Sequence, residues 1–409
     1  MPVQPQSPPN PPRNWNSPAS APSPPPNAGD NGHRPKVLSN LDRFWRRVTD
    51  GLELSELWSQ FSRDAQVGYK FYQRDFDTEE APGQPRGRTF IRKLKAFMWA
   101  VLEKLTPARR VLLLIGVVLL ILPSGGVQYQ GGHNVQITTP NFQFWGGLIL
   151  FVLLMFEIAD RVVMKRDLEI ARDIQSWLLP SVPPVVPGLT IAFATRPANT
   201  VAGDYYDVFP RLTTVPGEQS FLMAVADVAG KSIPAALLMA TFQASLKTLS
   251  STPCSLQELL AGMNRYACTN SQDGLRFTTA FIGEFNASTR ALNYINAGHN
   301  NPILRRSSGS IERLVAGGVP LGIQQDAKYD AGEAILAAGD WLVIFTDGLV
   351  EAVNFAGEEY GEQRLLAVLN ANTGLSPDLL LQRMIAEVNA FVGSTPQHDD
   401  ITCMLIKVD

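Results

Sequence analysis

The segment FLMAVADVAG, residues 221–230, decides the fold of the C-terminal half of this chain. Its six leading apolar residues predict a buried strand, and Asp227 lies where this strand meets a loop. The loop runs through Lys231 to Pro234, which begins an apolar helical pattern, as proline does in the first turn of helices. The segment therefore predicts a strand that carries a carboxylate to the edge of a sheet.

Residues 188–409 continue this pattern of strands and helices. Strands are predicted at 189–194, 221–226, 279–285, 291–296, 303–306, 311–315, 341–345 and 401–408. Helices are predicted at about 234–250, 255–270, 362–371 and 377–392. Antiparallel strands with helices grouped between them predict an α+β fold built in layers.

Three further acids, Asp204, Asp347 and Asp399, also lie where an apolar run meets a turn or a polar break. Each one alone is more often a turn or capping residue than a functional one. Together, carboxylates that converge without cysteine or histidine suit hard divalent cations. Asp400 follows Asp399 directly, and since side chains alternate along a strand, at most one of the two points into a shared site.

The Gly-Lys-Ser at 230–232 raises a second interpretation, a P-loop nucleotide hydrolase. That motif needs a glycine five residues before Gly230, where the chain has Val225. Asp227 would also lie among the amides that cradle the phosphates and would repel them. The sequence therefore disfavours a nucleotide site here.

The overall composition narrows the class of protein. With 409 residues, of which 45% are hydrophobic, the chain can form two or more domains. A net charge of −3 argues against a nucleic-acid-binding protein. Three cysteines without a C-x-x-C pair and four scattered histidines predict neither a disulfide framework nor a zinc site, and they fit a reducing compartment.

The N-terminal region divides by composition into two parts. Residues 1–37 are predicted to be a disordered tail, because residues 1–36 contain 12 of the 30 prolines. Residues 38–106 contain amphipathic and basic segments on the cytoplasmic side. Their basic helix either lies on an anionic membrane surface or is an ordinary solvated helix.

Residues 107–158 are predicted to form two transmembrane helices with a short external loop. No Asp, Glu, Lys or Arg occurs from Val111 to Phe156, and basic residues flank both ends. The charge pattern predicts a multi-pass protein of the inner (cytoplasmic) membrane, with its C-terminal domain in the cytoplasm. Each apolar core is only about 12 residues, so a hairpin that enters one leaflet is the alternative.

Residues 159–187 are predicted to form a linker helix that ends in a proline-rich segment. Its apolar stripe fits either a short coiled coil, which would make the protein a homodimer, or packing on the next domain. Rotation of this helix could shift the loop that carries Asp227.

Five motifs occur in order: GDYYD (203–207), ADVAGKSIPAALLM (226–239), NAGHN (296–300), TDGLVEA (346–352) and DDIT (399–402). In this order they resemble the metal-dependent serine/threonine phosphatases of the PPM class, in their bacterial SpoIIE-like and RsbU-like branch. The resemblance covers residues 168–409. It implies an α/β/β/α sandwich that hydrolyses phosphoserine or phosphothreonine on a partner protein, and the family points to a STAS-domain regulator.

The resemblance also implies the site residues. Asp227 would bridge two Mn²⁺ or Mg²⁺ ions, and the Val228 carbonyl would bind one of them. Asp347 and Asp399 would hold the other ion, and Asp204 would serve the site directly or through water. Asp227 and Asp347 are the acids on which catalysis is expected to depend most.

Two questions remain open from the sequence. His299 could protonate the leaving oxygen, although a hydrogen bond that orders its loop is the more common role of such a residue. The domain could also be a catalytically silent module that only binds its partner, although it keeps all four acids.

The chain departs from the family pattern at two positions. It has Ala202 and Ser232 where the family commonly has glycine.

Overall fold

The structure is a computed structural model that describes Trp99, Leu102 and residues 105–122, 141–212, 219–271 and 276–409. The predicted disordered tail and most of residues 38–106 lie outside the described residues. The described chain divides into two compact units, one that ends at Val162 and one that comprises residues 163–409.

Two helices form the described part of the first unit. α1 spans Pro107–Ile121, and α2 spans Phe142–Leu178 and continues into the second unit. The helices run antiparallel and approach closely, since a Cβ at Gly146 would lie 2.8 Å from the Gly116 carbonyl oxygen. At the charged end of this hairpin, Arg109 pairs with Asp160.

The apolar runs predicted to span a membrane are thus helical. In the described part of the chain, however, no helix has both the length and the apolar character needed to cross a membrane. The second apolar run and the predicted linker also form one continuous helix, α2, and not two elements.

The second unit contains two sheets. Their strands are β1 (Leu189–Arg196), β2 (Tyr205–Arg211), β3 (Ser220–Val228), β4 (Thr278–Asn286), β5 (Ala291–Ala297), β6 (Ile303–Arg305), β7 (Ile311–Arg313), β8 (Gly317–Gly318), β9 (Gly332–Ile335), β10 (Trp341–Phe345) and β11 (Ile401–Val408). One sheet has the order β1-β11-β10-β6-β7. The other has the order β2-β3-β4-β5-β8, with β9 paired to β5. All pairings are antiparallel except that of β5 with β8.

Helices cover the outer face of each sheet. They are α3 (Ser232–Leu249), α4 (Leu256–Thr269), α5 (Asp347–Val350), α6 (Gly361–Ala371) and α7 (Pro377–Val392). α3 and α4 pack on the sheet of β2–β5, and α6 and α7 pack on the sheet of β1, β10 and β11. A third apolar cluster, which includes Met223, Phe281 and Ile344, fills the space between the sheets. The predicted layered α/β/β/α sandwich is therefore confirmed.

Most predicted elements match the observed ones within two residues, but three strands and one helix were not predicted. β2 contains Asp207 and Pro210, so it lacks an apolar alternation. β8 consists of two glycines, and β9 is a short edge strand. α5 begins at Asp347, where Asp-Gly had indicated a turn.

Candidate metal centre

The fold brings the four predicted acids together. Asp204 directly precedes β2, and Asp227 is the penultimate residue of β3. Asp347 begins α5 after β10, and Asp399 lies two residues before β11. The acids thus come from both sheets, and they are close enough to interact: the charge of Asp227 raises the pKa of Asp204, and the charges of Asp347 and Asp399 raise that of Asp227.

Asp204 is the most deeply buried of the four, with 1% of its surface exposed. Its Oδ2 accepts a hydrogen bond of 3.0 Å from the Thr346 hydroxyl, and the Thr402 hydroxyl also bonds to the carboxyl. The Thr346 oxygen in turn accepts the Thr402 amide at 2.9 Å. Burial and the charge of Asp227 raise the pKa of Asp204 well above its ordinary value. The carboxyl is therefore held in one orientation but carries an electrostatic cost.

The Asp227 carboxyl is likewise hydrogen-bonded but destabilised in its charged form by burial and by neighbouring charges. Burial, followed by the charges of Asp347 and Asp399, raises its pKa to about 7, while a hydrogen bond with Asp204 offsets part of this effect. The neighbouring Val228 carbonyl lies beside Gly203, since a Cβ at Gly203 would be 3.2 Å from that oxygen. The loop of Asp204 and the end of β3 therefore meet at this point.

Asp347 and Asp399 lie on the other side of the group. Burial and the charge of Asp399 raise the pKa of Asp347, whereas the Gly348 amide and Lys231 lower it. Asp399 is half exposed, and its Oδ2 lies 3.2 Å from the Lys231 ammonium. A Cβ at Gly348 would lie 2.1 Å from the Asp400 carbonyl oxygen, so only glycine allows α5 to approach this segment.

Asp400 has a different environment from Asp399. Its carboxylate accepts the amides of Ala198 and Gly203, both at 2.6 Å, and the Asp204 amide also bonds to it. One side chain thus fastens three amides of the loop that presents Asp204. This role of Asp400 was not predictable from the sequence, because its partners lie about 200 residues away in the chain.

Gln175, near the end of α2, fastens the same loop from the opposite direction. Its buried side-chain amide donates to the Ala202 carbonyl at 2.7 Å and accepts the Ala202 amide at 2.9 Å. The linker helix therefore contacts the loop of Asp204 directly. From the sequence, rotation of this helix had been expected to act on the loop of Asp227. The signal in the sequence was a glutamine within an otherwise apolar stripe.

His299 is buried, and its contacts are with neighbouring backbone and side-chain groups. Its Nδ1 lies 2.9 Å from the Thr279 hydroxyl, and its backbone amide donates to the Asn296 side chain. Burial lowers its pKa to about 4, an effect that the Phe345 carbonyl partly offsets. These contacts favour the loop-ordering role over proton donation to a leaving group.

The described residues contain no group of three or more Asp, Glu, His or Cys side chains at the spacing of a formed metal site. The donor chemistry nevertheless fits hard divalent cations. Asp204 is buried and Asp227 and Asp347 are partly buried, and the pKa of each is raised by desolvation and by the charge of a neighbouring aspartate. Bound cations would remove that repulsion, and oxygen donors are the ligands that Mg²⁺ and Mn²⁺ prefer.

Comparisons with known proteins agree with this fold. The model of the family "Stage II sporulation protein E (SpoIIE)" matches residues 217–409. The phosphoserine phosphatase RsbU of Bacillus subtilis is 33% identical over 189 residues, which are 46% of this chain and 54% of that protein. Protein IcfG of Synechocystis is 27% identical over 283 residues, which are 62% of this chain and 43% of that protein.

Among solved structures, the SiaA-PP2C domain of Pseudomonas aeruginosa has a TM-score of 0.53 at 21% identity. The match covers 61% of this chain and 99% of that domain, and it shows a common fold. The chain spans about half the length of the curated relatives that it matches. The C-terminal part of this chain, residues 217–409, therefore matches the SpoIIE family model, and its fold is similar to that of the SiaA-PP2C domain.

Proposed function

We propose that residues 188–409 are a metal-dependent protein serine/threonine phosphatase. The observation that carries this proposal is the group of four carboxyls from both sheets, because burial and charge repulsion raise the pKa values of Asp204, Asp227 and Asp347 and bound cations would relieve that repulsion. The family of the domain and the printed name of RsbU, a phosphoserine phosphatase, support the same activity.

In this proposal the predicted residues hold two Mn²⁺ or Mg²⁺ ions. Asp227 and the Val228 carbonyl lie at the end of β3, and Asp347 and Asp399 face them from the other sheet. Bound there, the ions would activate water for attack on phosphorus and neutralise charge on the phosphoryl oxygens. Thr346 and Thr402 keep Asp204 oriented, and Asp400 holds its loop in place.

The substrate class follows from the domain family. We propose phosphoserine or phosphothreonine on a partner protein, with a STAS-domain regulator as the expected partner. The described residues offer a cleft beside Asp399, lined by Arg196, Glu351 and Gln397, where a segment next to the phosphorylated residue could lie. STAS-domain phosphoproteins and unrelated phosphopeptides compared as substrates at equal concentration would test this choice.

We also propose that the α1–α2 hairpin attaches the chain to the cytoplasmic membrane, with the phosphatase domain in the cytoplasm. Its described side chains at 111–122 and 142–156 are largely exposed and apolar, whereas Arg109, Glu157 and Asp160 group at one end. Such a hairpin is suited to lipid at its apolar end and to water at its charged end. Flotation of the chain with anionic vesicles, lost when residues 107–158 are deleted, tests this attachment.

Hydrolysis of p-nitrophenyl phosphate tests the central activity. The full chain should turn over the substrate with Mn²⁺, and Asp227→Asn and Asp347→Asn should each reduce turnover strongly because each removes a proposed ligand. Asp326→Asn, at an exposed position outside the site, is the matched control. No metal-dependent turnover in the unmutated chain would favour the second candidate, a silent partner-binding module.

A further inference from the structure

Lys231 makes contacts that the proposed reaction does not explain. It is the residue before α3, four positions after Asp227. Its ammonium lies 3.2 Å from Asp399 Oδ2 and donates a hydrogen bond to the His398 carbonyl. Both side chains of the ion pair are about half exposed, at 54% and 45%. A basic side chain of the Asp227 loop is thus bound to one of the proposed metal ligands.

The charge of Lys231 also reaches the next acid. It is one of the influences that lower the pKa of Asp347, against burial and the charge of Asp399. In the structure, therefore, this ammonium partly neutralises the Asp347 and Asp399 side of the acid group. A divalent cation at these carboxylates would occupy the same position relative to them.

We propose that Lys231 is a displaceable counter-ion that competes with the metal for Asp399. This inference rests on the metal centre proposed above. The ammonium and the metal both require the Asp399 carboxylate, and like charges only a few ångströms apart repel strongly. Binding of the metal at Asp399 therefore has to break the ion pair and move the ammonium away.

The side chain of Lys231 is suited to such movement. A lysine ammonium is a compact charge on a flexible four-carbon stem, so it can leave Asp399 without a change in the backbone. The loop itself has an unusual backbone conformation, since Gly230 and Ser232 on either side of Lys231 have φ values of +121° and +63°. The ammonium can therefore move by side-chain rotation alone.

The opposite role predicts the opposite effect. If Lys231 serves to position Asp399 for the metal, its removal should weaken metal binding. If it competes, its removal should strengthen binding, since the free carboxylate no longer has to give up a partner. A phosphate-binding role of the P-loop type does not predict a change in metal affinity in the absence of substrate.

Titration of the full chain with Mn²⁺ alone, followed by electron paramagnetic resonance of free Mn²⁺, separates these cases. Lys231→Met should lower the dissociation constant by about two- to five-fold, the factor expected from the loss of a partly exposed ion pair. Lys231→Arg keeps the charge and should bind Mn²⁺ as the unmutated chain does. Lys328→Met, at an exposed position outside the site, is the control for net charge.

Each outcome decides the question. Tighter binding by Lys231→Met, with Lys328→Met unchanged, supports competition. Equal or weaker binding by Lys231→Met overturns it while leaving the metal centre intact. A chain that binds no Mn²⁺ before mutation overturns both this inference and the proposed function, and a circular-dichroism melt of each variant confirms that it is folded.

Discussion

Replacement of Asp400 by alanine should loosen the loop that presents Asp204. The Asp400 carboxylate accepts the amides of Ala198 and Gly203 at 2.6 Å and also bonds to the Asp204 amide. Hydrogen bonds to a charged group contribute about 1.5–3 kcal/mol each, and donors left unsatisfied in a buried position add to the loss.

The gross loss is reduced by two effects in the same structure. Burial raises the pKa of Asp400, so its charged form carries a desolvation cost in the folded protein. Its charge also raises the pKa values of Asp204 and Asp227, and its removal relieves that repulsion. We therefore expect Asp400→Ala to lower the free energy of unfolding by about 2 kcal/mol net. Asp400→Asn, which keeps one acceptor oxygen, should lose roughly half as much.

Urea unfolding and amide hydrogen exchange measure this effect together. Exchange at Ala198 and Gly203 should accelerate in Asp400→Ala, because both amides lose their acceptor. Asp326→Ala, at an exposed aspartate, is the control for the change in charge. The reasoning fails if Asp400→Ala unfolds at the same urea concentration as this control and keeps protection at both amides.

Four further predictions concern single residues. Gln175→Ala should lower Mn²⁺-dependent turnover, because the Ala202 loop loses two hydrogen bonds. Gln175→Glu keeps only the acceptor, so its turnover should be intermediate. Equal turnover in the unmutated chain and both variants would contradict a coupling between α2 and the site. Ser232→Gly should raise the free energy of unfolding by up to about 1 kcal/mol, because Ser232 has a φ of +63°, and urea unfolding measures the change. The pKa of His299 is lowered to about 4, so the stability it confers should be present above about pH 6.5 and fall towards pH 4; His299→Gln should flatten this dependence in urea midpoints measured across that range. Burial and the neighbouring charges raise the pKa of Asp227 to about 7, so in chelator the free energy of unfolding should fall as pH rises from about 4 to 7. Asp227→Asn should reduce that slope, and an unchanged slope would contradict the raised pKa of this carboxyl.

The sequence predicted the layers and the acids because both follow from local patterns. Continuous apolar runs identify central strands such as β3 and β10, and motif order places Asp227 and Asp347 at their ends. A strand without apolar alternation, such as β2, is recognisable only when its pairing with β3 is known.

The supporting contacts were not predictable because they join residues far apart in the chain. Thr346 reaches Asp204 across 142 positions, and Asp400 reaches Gly203 across 197. Nothing in the local sequence distinguishes these side chains from ordinary turn residues. Ser232 is the exception, since the glycine common at this place in the family now has a physical reason in the positive φ.

The most direct test of the central claim is anomalous diffraction at the manganese edge from crystals grown with Mn²⁺. The account predicts two peaks between the two sheets, with Asp227 bridging them and Asp347 and Asp399 bound to one, and no peaks in Asp227→Asn. Crystals in which these carboxylates bind no Mn²⁺, or in which both peaks persist unchanged without the Asp227 carboxylate, would contradict it.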